Sequence, residues 1–321
     1  MRALFSIILF HCFTINVYCI GITEIQSFGE NPGNLRMYIH DNVSKDTTKK
    51  SLVIVLHGCM QSAIEAAELT GWNKLADNNN FVLIYPEQRA ANNPSRCFNW
   101  FWNGDITKGN GECESIYQMI LYAINHYNIN TDKIFITGLS AGAALSIVML
   151  AVHPEIFNAG ASFEGGAYKI ATNPFSAYWA MRGNINISRE TLIENVKSQN
   201  PSYNGKYPKL IAYQGLKDKI VRPKNAEHIV SQWTGINNTD TIPDKIDVNF
   251  NNNKYITRYE YKDSIGNIIV IYYKVKKLGH ELLIKPGKKY NEGGELGSYG
   301  VNRNFHSTYQ TALDFGLIIG R

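Results

Sequence analysis

Ser140 is framed as a nucleophile by its neighbours. The stretch Lys133-Ile134-Phe135-Ile136-Thr137-Gly138-Leu139-Ser140-Ala141-Gly142 runs from a β-branched, strand-like segment into Gly-x-Ser-x-Gly and then into an Ala-rich helical segment. Strand, sharp turn and helix in that order make a nucleophile elbow, which holds the serine in a strained conformation with its hydroxyl exposed. Gly138, Ala141 and Gly142 are small enough for the two elements to approach. A plain strand-to-helix turn serine is the competing reading. A hydroxyl attacks a carbonyl only when a base takes its proton and an acid orients that base, so the chemistry is acyl transfer through a covalent intermediate. With this elbow the chain order is serine, acid, histidine.

The acid is sought where a later strand ends. Lys209-Leu210-Ile211-Ala212-Tyr213 reads as a buried strand, and Asp218 sits in the loop that follows it, where open α/β sheets place their sites. A helix-capping or solvated aspartate is the alternative. Among eight histidines, His11 lies in the leader, and His40 and His57 precede the serine. His126 and His153 lie in helical context close to it, His228 sits within the helix after Asp218, and His306 opens the last helix. His280 remains, in a loop after the strand at 268–275, and is the expected general base. For the oxyanion, one donor is the N–H of Ala141, directly after the nucleophile. The second is expected where Leu52-Val53-Ile54-Val55-Leu56 breaks into His57-Gly58, with the N–H of Cys59 as the donor and Met60 as its alternative.

Five blocks, His57-Gly58-Cys59-Met60-Gln61, Tyr85-Pro86-Glu87-Gln88, Ser95-Arg96-Cys97-Phe98-Asn99-Trp100-Phe101, Gly138-Leu139-Ser140-Ala141-Gly142 and His153-Pro154-Glu155-Ile156-Phe157, give the chain its family likeness. In these blocks it resembles the polyhydroxybutyrate depolymerase and feruloyl-esterase-like group of α/β hydrolases, from about Leu35 to His280. The resemblance implies a metal-independent and cofactor-free serine esterase with Ser140, Asp218 and His280 as triad and Cys59 and Ala141 at the oxyanion hole. It also places Trp100 near the elbow as a substrate contact, with Met60 counted beside it. Its substrates would be polyesters or oligoesters, with feruloyl or acetyl esters on polysaccharide as the alternative and a non-catalytic binding protein as the reading from another class. Two departures stand out. The family follows its histidine with a tryptophan and paired glycines, whereas here His280-Glu281-Leu282-Leu283 runs on before Gly293-Gly294, which is expected to reshape the pocket rim. The appended linker and substrate-binding domain of many polymer depolymerases is not expected.

Positioning these residues requires alternating strands and helices, hence an α/β fold with a mostly parallel central sheet flanked by helices. Strands are predicted near 36–40, 52–56, 81–85, 133–137, 159–163, 209–213 and 268–275. Helices are predicted near 64–78, 114–127, 141–151, 189–198, 224–233 and 306–319. The polar stretch 237–254 reads as a surface excursion within one catalytic domain spanning 22–321. With 321 residues and 44% hydrophobic content, the chain can bury one large core. Met1-Arg2 followed by an apolar run to Ile20 reads as a secretory leader of about 21 residues, an uncleaved anchor being the alternative. Hence the mature chain is expected to be secreted or periplasmic, without stable membrane association.

Its three remaining cysteines allow three pairings. The family resemblance favours Cys59 with Cys97, both beside the active-site floor, and Cys97 with Cys113 is the local alternative. No zinc spacing is present. A net charge of +5, with basic residues scattered among acids, matches no nucleic-acid motif. The aromatics Phe98, Trp100, Phe101, Trp102, Tyr178 and Trp179 divide between core packing and an apolar substrate wall.

Overall fold

The computed structural model describes residues 21–41 and 48–320. Residues 1–20, which carry the expected leader, lie outside them. In chain order the strands are β1 (Thr23–Ile25), β2 (Arg36–His40), β3 (Lys50–Leu56), β4 (Phe81–Glu87), β5 (Ile129–Leu139), β6 (Ala159–Phe163), β7 (Lys209–Gly215), β8 (Lys245–Val248), β9 (Ile256–Lys262), β10 (Ile268–Val275), β11 (Leu282–Ile284) and β12 (Gly300–Asn302). The helices are α1 (Ala63–Thr70), α2 (Trp72–Asn79), α3 (Gly111–His126), α4 (Ala141–Val152), α5 (Pro174–Met181), α6 (Arg189–Lys197), α7 (Lys224–Ile236) and α8 (Ser307–Phe315).

Ten strands form one sheet in the order β1-β2-β4-β3-β5-β6-β7-β10-β9-β8. From β4 to β10 the pairing is parallel, and antiparallel strands finish both edges. Side chains alternate across the pleat, so β3 sends Leu52, Ile54 and Leu56 into one core and Val53 and Val55 into the other. Helices α3, α4, α6 and α7 cover the first face, while α1, α2 and α8 cover the second. That double cover explains why the central strands read as continuous apolar runs. Every residue of α4 is buried, which suits a helix standing directly behind a sheet and a pocket.

The expected helix at 64–78 divides at Gly71, whose φ of 70° ends α1 and starts α2. A Cβ there would lie 2.4 Å from the backbone N of Gly294, so the segment after His280 passes against this break. Helix α5 was not anticipated, although Asn173 caps it reciprocally with Ser176 and Pro174 opens it. The last helix stops at Phe315 rather than 319 because Gly316 takes φ 74°. The 237–254 excursion is largely exposed but contributes β8 as the sheet's edge strand.

Candidate active site

The sharp turn is real in the backbone. Ser140 has φ 56° and ψ −117°, a region that non-glycine residues occupy only when the surroundings enforce it. Its N–H donates to Phe163 O at 2.9 Å, tying the turn to the end of β6. Gly138 permits the reversal, because a Cβ there would sit 2.4 Å from the backbone of Gly142.

Loops after β6, β7 and β10 converge beside it. Leu216 N–H donates to Val275 O at 2.9 Å and Lys217 N–H to Leu278 O at 2.8 Å, bracing the second loop against the third. Asp218, fully buried at its side chain, accepts from the N–H groups of Ile220 and Val221 through Oδ1 at 2.8 and 2.9 Å. Its Oδ2 accepts from His280 Nδ1 at 2.7 Å. This bond assigns the Nδ1 proton and leaves Nε2 as the imidazole's basic edge.

Sequence reasoning missed Glu164, the residue directly after β6. Its Oε2 lies 3.2 Å from His280 Nδ1, and its Oε1 accepts from Gly215 N–H at 3.2 Å. The available signal was the strand-end rule that points to Asp218, since Glu164 holds the same place after β6. Burial drives the Glu164 carboxyl up to about 8, although His280 pulls the other way. Burial alone would lower His280, but its contacts with Asp218 and Glu164 outweigh that and raise it to about 9. Glu164, Asp218 and His280 also bring their ligand atoms within 4.8 Å of one another, the grouping among the described residues that could hold an ion. Asp218 and His280 are already engaged with each other and with backbone donors.

Ser140, Ala141, Cys59, Trp100 and His280 line one cavity of about 270 Å³. Its walls are mostly apolar: Leu139, Ala144, Ala177, Met181, Ile220 and Val221. Asp218 stands behind His280, outside the lining. Trp100 packs edge-on against Phe101, with ring centroids 5.4 Å apart. Met60, in contrast, does not line this cavity; it is 65% exposed and borders a neighbouring groove with Leu296 and Tyr299. Tyr299 borders both, so the long segment after His280 does shape the rim. Phe98 is core, while Trp102, Tyr178 and Trp179 are exposed.

The turn after β3 is clamped from several sides. Cys59 is disulfide-bonded to Cys97, with Cα atoms 4.1 Å apart, and Cys113 is a buried free thiol. Met60 N–H donates to Ser95 O at 2.8 Å, while Arg96 Nη2 donates to Met60 O at 2.7 Å. Gln61 Oε1 accepts from Gly58 N–H at 2.8 Å. Burial lowers His57 to about 4, so this ring is neutral, donating from Nδ1 to Gly58 O at 2.6 Å and accepting from Gln88 N–H at Nε2. Among the described residues, no hydrogen bond takes up the N–H of Cys59 or of Ala141.

A doubly covered, mostly parallel sheet with a strained serine at a strand-to-helix turn and an acid–histidine pair on later strand-end loops defines an α/β hydrolase. The acetyl xylan esterase of Aspergillus awamori shares this fold, with a TM-score of 0.74 and 22% identity over 81% of this chain and 93% of that one. Residues 37–244 match the family model described as esterase PHB depolymerase. Poly(3-hydroxyalkanoate) depolymerase C of Paucimonas lemoignei is 36% identical over 93% of this chain and 70% of its own length. Feruloyl esterase B of Talaromyces stipitatus is 30% identical over 68% of this chain, which spans 62% of that relative. The chain therefore belongs to the esterase PHB depolymerase family and is a carboxylic ester hydrolase.

Proposed function

We propose that this protein is a secreted serine esterase that hydrolyses polyester or oligoester bonds, acting as one catalytic domain with Ser140, His280 and Asp218 as its triad. The observation that carries the reading is the 2.7 Å bond from His280 Nδ1 to buried Asp218, with His280 and Ser140 facing one cavity. Ser140 Oγ attacks the ester carbonyl as its proton passes to His280 Nε2. Asp218 stabilises the imidazolium, and the N–H groups of Cys59 and Ala141 take the oxyanion. Met60 N–H is committed to Ser95, which favours Cys59 as donor. Collapse expels the alcohol with the proton from His280, which then activates water to release the acid.

The aliphatic walls suit a short hydroxyalkanoate acyl unit, and the 36% identical relative is named for poly(3-hydroxyalkanoate). The edge-on pair Trp100 and Phe101 favours a second reading, a feruloyl ester whose ring stacks on this wall. The deciding experiment compares purified protein and Ser140→Ala on 3-hydroxybutyrate oligomers, amorphous polyhydroxybutyrate, methyl ferulate and p-nitrophenyl butyrate. Serine-dependent release of 3-hydroxybutyrate supports the first reading. Ferulate release alone moves the assignment to polysaccharide-linked esters, and turnover that survives Ser140→Ala refutes the mechanism.

A further inference from the structure

We infer that Glu164 is a second acid partner of His280, a positioning residue that shares the Nδ1 edge of the imidazole with Asp218 and sets how readily the base releases its proton. The inference rests on His280 being the general base. Three strand-end loops bring these groups together, and backbone hydrogen bonds brace them against one another. Glu164 holds φ 59°, donates its N–H to Tyr213 O at 3.0 Å and is anchored through Oε1 to Gly215 N–H. Its Oε2 is buried, lies 3.2 Å from Nδ1 and has no directional hydrogen bond among the described residues. Nδ1 carries one hydrogen, and Asp218 Oδ2 receives it at 2.7 Å. Glu164 therefore acts on the ring as a charge once it gives up its own proton, above about pH 8.

Two carboxylates face one imidazole, and among the described residues neither forms an ion pair with lysine or arginine. The other charged residues of these loops are Glu281, whose carboxylate lies beside Gly279, and the exposed Lys217, Lys219, Lys276 and Lys277, none of which forms an ion pair with either acid among the described residues. With no cation to neutralise the second carboxylate, the cluster retains an extra proton beyond the pH at which an ordinary Asp–His pair gives one up. Burial holds Glu164 near 8, and the two acids hold His280 near 9. A base works only once deprotonated, so the acid limb of kcat/KM, which reports the free enzyme, is displaced to alkaline pH.

Glu164→Gln keeps the shape and the acceptor for Gly215 but removes the charge. Its acid limb is expected to fall by about one pH unit relative to wild type, since a neighbouring opposite charge shifts a pKa by roughly 1–3 units. Asp218→Asn leaves Glu164 beside the ring, so its loss of kcat/KM is expected near 10²-fold rather than the roughly 10⁴-fold typical when a triad's acid is replaced by its amide. The double variant Asp218→Asn/Glu164→Gln loses the full amount. The experiment measures kcat/KM for p-nitrophenyl butyrate from about pH 5 to about pH 10 in all three, with an NMR titration of the His280 ring in Ser140→Ala and Ser140→Ala/Glu164→Gln. An acid limb and a ring titration that Glu164→Gln leaves unmoved overturn the inference. If Glu164→Gln does not fold, Asp218→Asn decides alone, and a loss near 10⁴-fold overturns it equally. Activity that survives Ser140→Ala would instead fell the esterase mechanism, and this inference with it.

Discussion

Ser140, Asp218 and His280 came within reach of sequence reasoning because each sits where a rule of the fold puts it: at a glycine-flanked turn, then after two later strands. Glu164 obeys the same strand-end rule and also falls between the serine and the histidine in the chain, but one acid satisfies that order, and with Asp218 filling it nothing local marked a second. Met60 shows the opposite limit. Its neighbour Cys59 lines the cavity, but a positive φ of 64° at Met60 turns that side chain outward, which no residue pattern encodes. Trp100 is buried against Phe101 and lines the cavity, so Trp100→Leu should raise KM for aliphatic esters about ten-fold while kcat changes little. Steady-state kinetics on p-nitrophenyl butyrate checks this. An equal fall in kcat and kcat/KM would place Trp100 in transition-state binding instead.

The central strands were legible because helices bury both of their faces, which leaves long apolar runs in the sequence. Strands β1, β8, β9, β11 and β12 were not, since β1 and β8 are largely exposed and β11 pairs with β12 across a long segment of irregular chain. Their partners are a property of the assembled fold rather than of local composition. The division between α1 and α2 likewise depends on Gly71 meeting the segment around Gly294. The turn after β3 is where an element matters most for chemistry, because the disulfide Cys59–Cys97 closes 38 residues of chain beside the Cys59 N–H. Replacing both cysteines by serine is expected to cost roughly 2–4 kcal/mol of stability. Loss of kcat should exceed any rise in KM, because the proposed oxyanion donor loses its clamp while the acyl walls stay in place. Thermal unfolding paired with kinetics separates the two effects.

Across the whole molecule, the protons held by the site couple activity to stability with opposite signs. His280 and Glu164 keep their protons in the folded state up to about 9 and about 8, above their ordinary values of 6.5 and 4.5. Between pH 6.5 and 9 the native state therefore binds more protons than the unfolded chain, so stability is highest at the lower end and falls as pH rises. Over the same interval the proposed base, His280, is freed, and turnover is expected to rise. A series of melting curves should show Tm decreasing from pH 6.5 to 9 while kcat/KM increases. A rising Tm would contradict the proton assignment. The proposed mechanism places one covalent event at Ser140. The most direct measurement is the intact mass of the protein after incubation with diethyl p-nitrophenyl phosphate, followed by peptide mapping and residual esterase assay. A single diethylphosphoryl adduct on Ser140, with activity lost in proportion to labelling and no adduct in Ser140→Ala, is the predicted result. Undiminished hydrolysis by fully labelled protein, or an adduct at another residue that accounts for the lost activity, would contradict it.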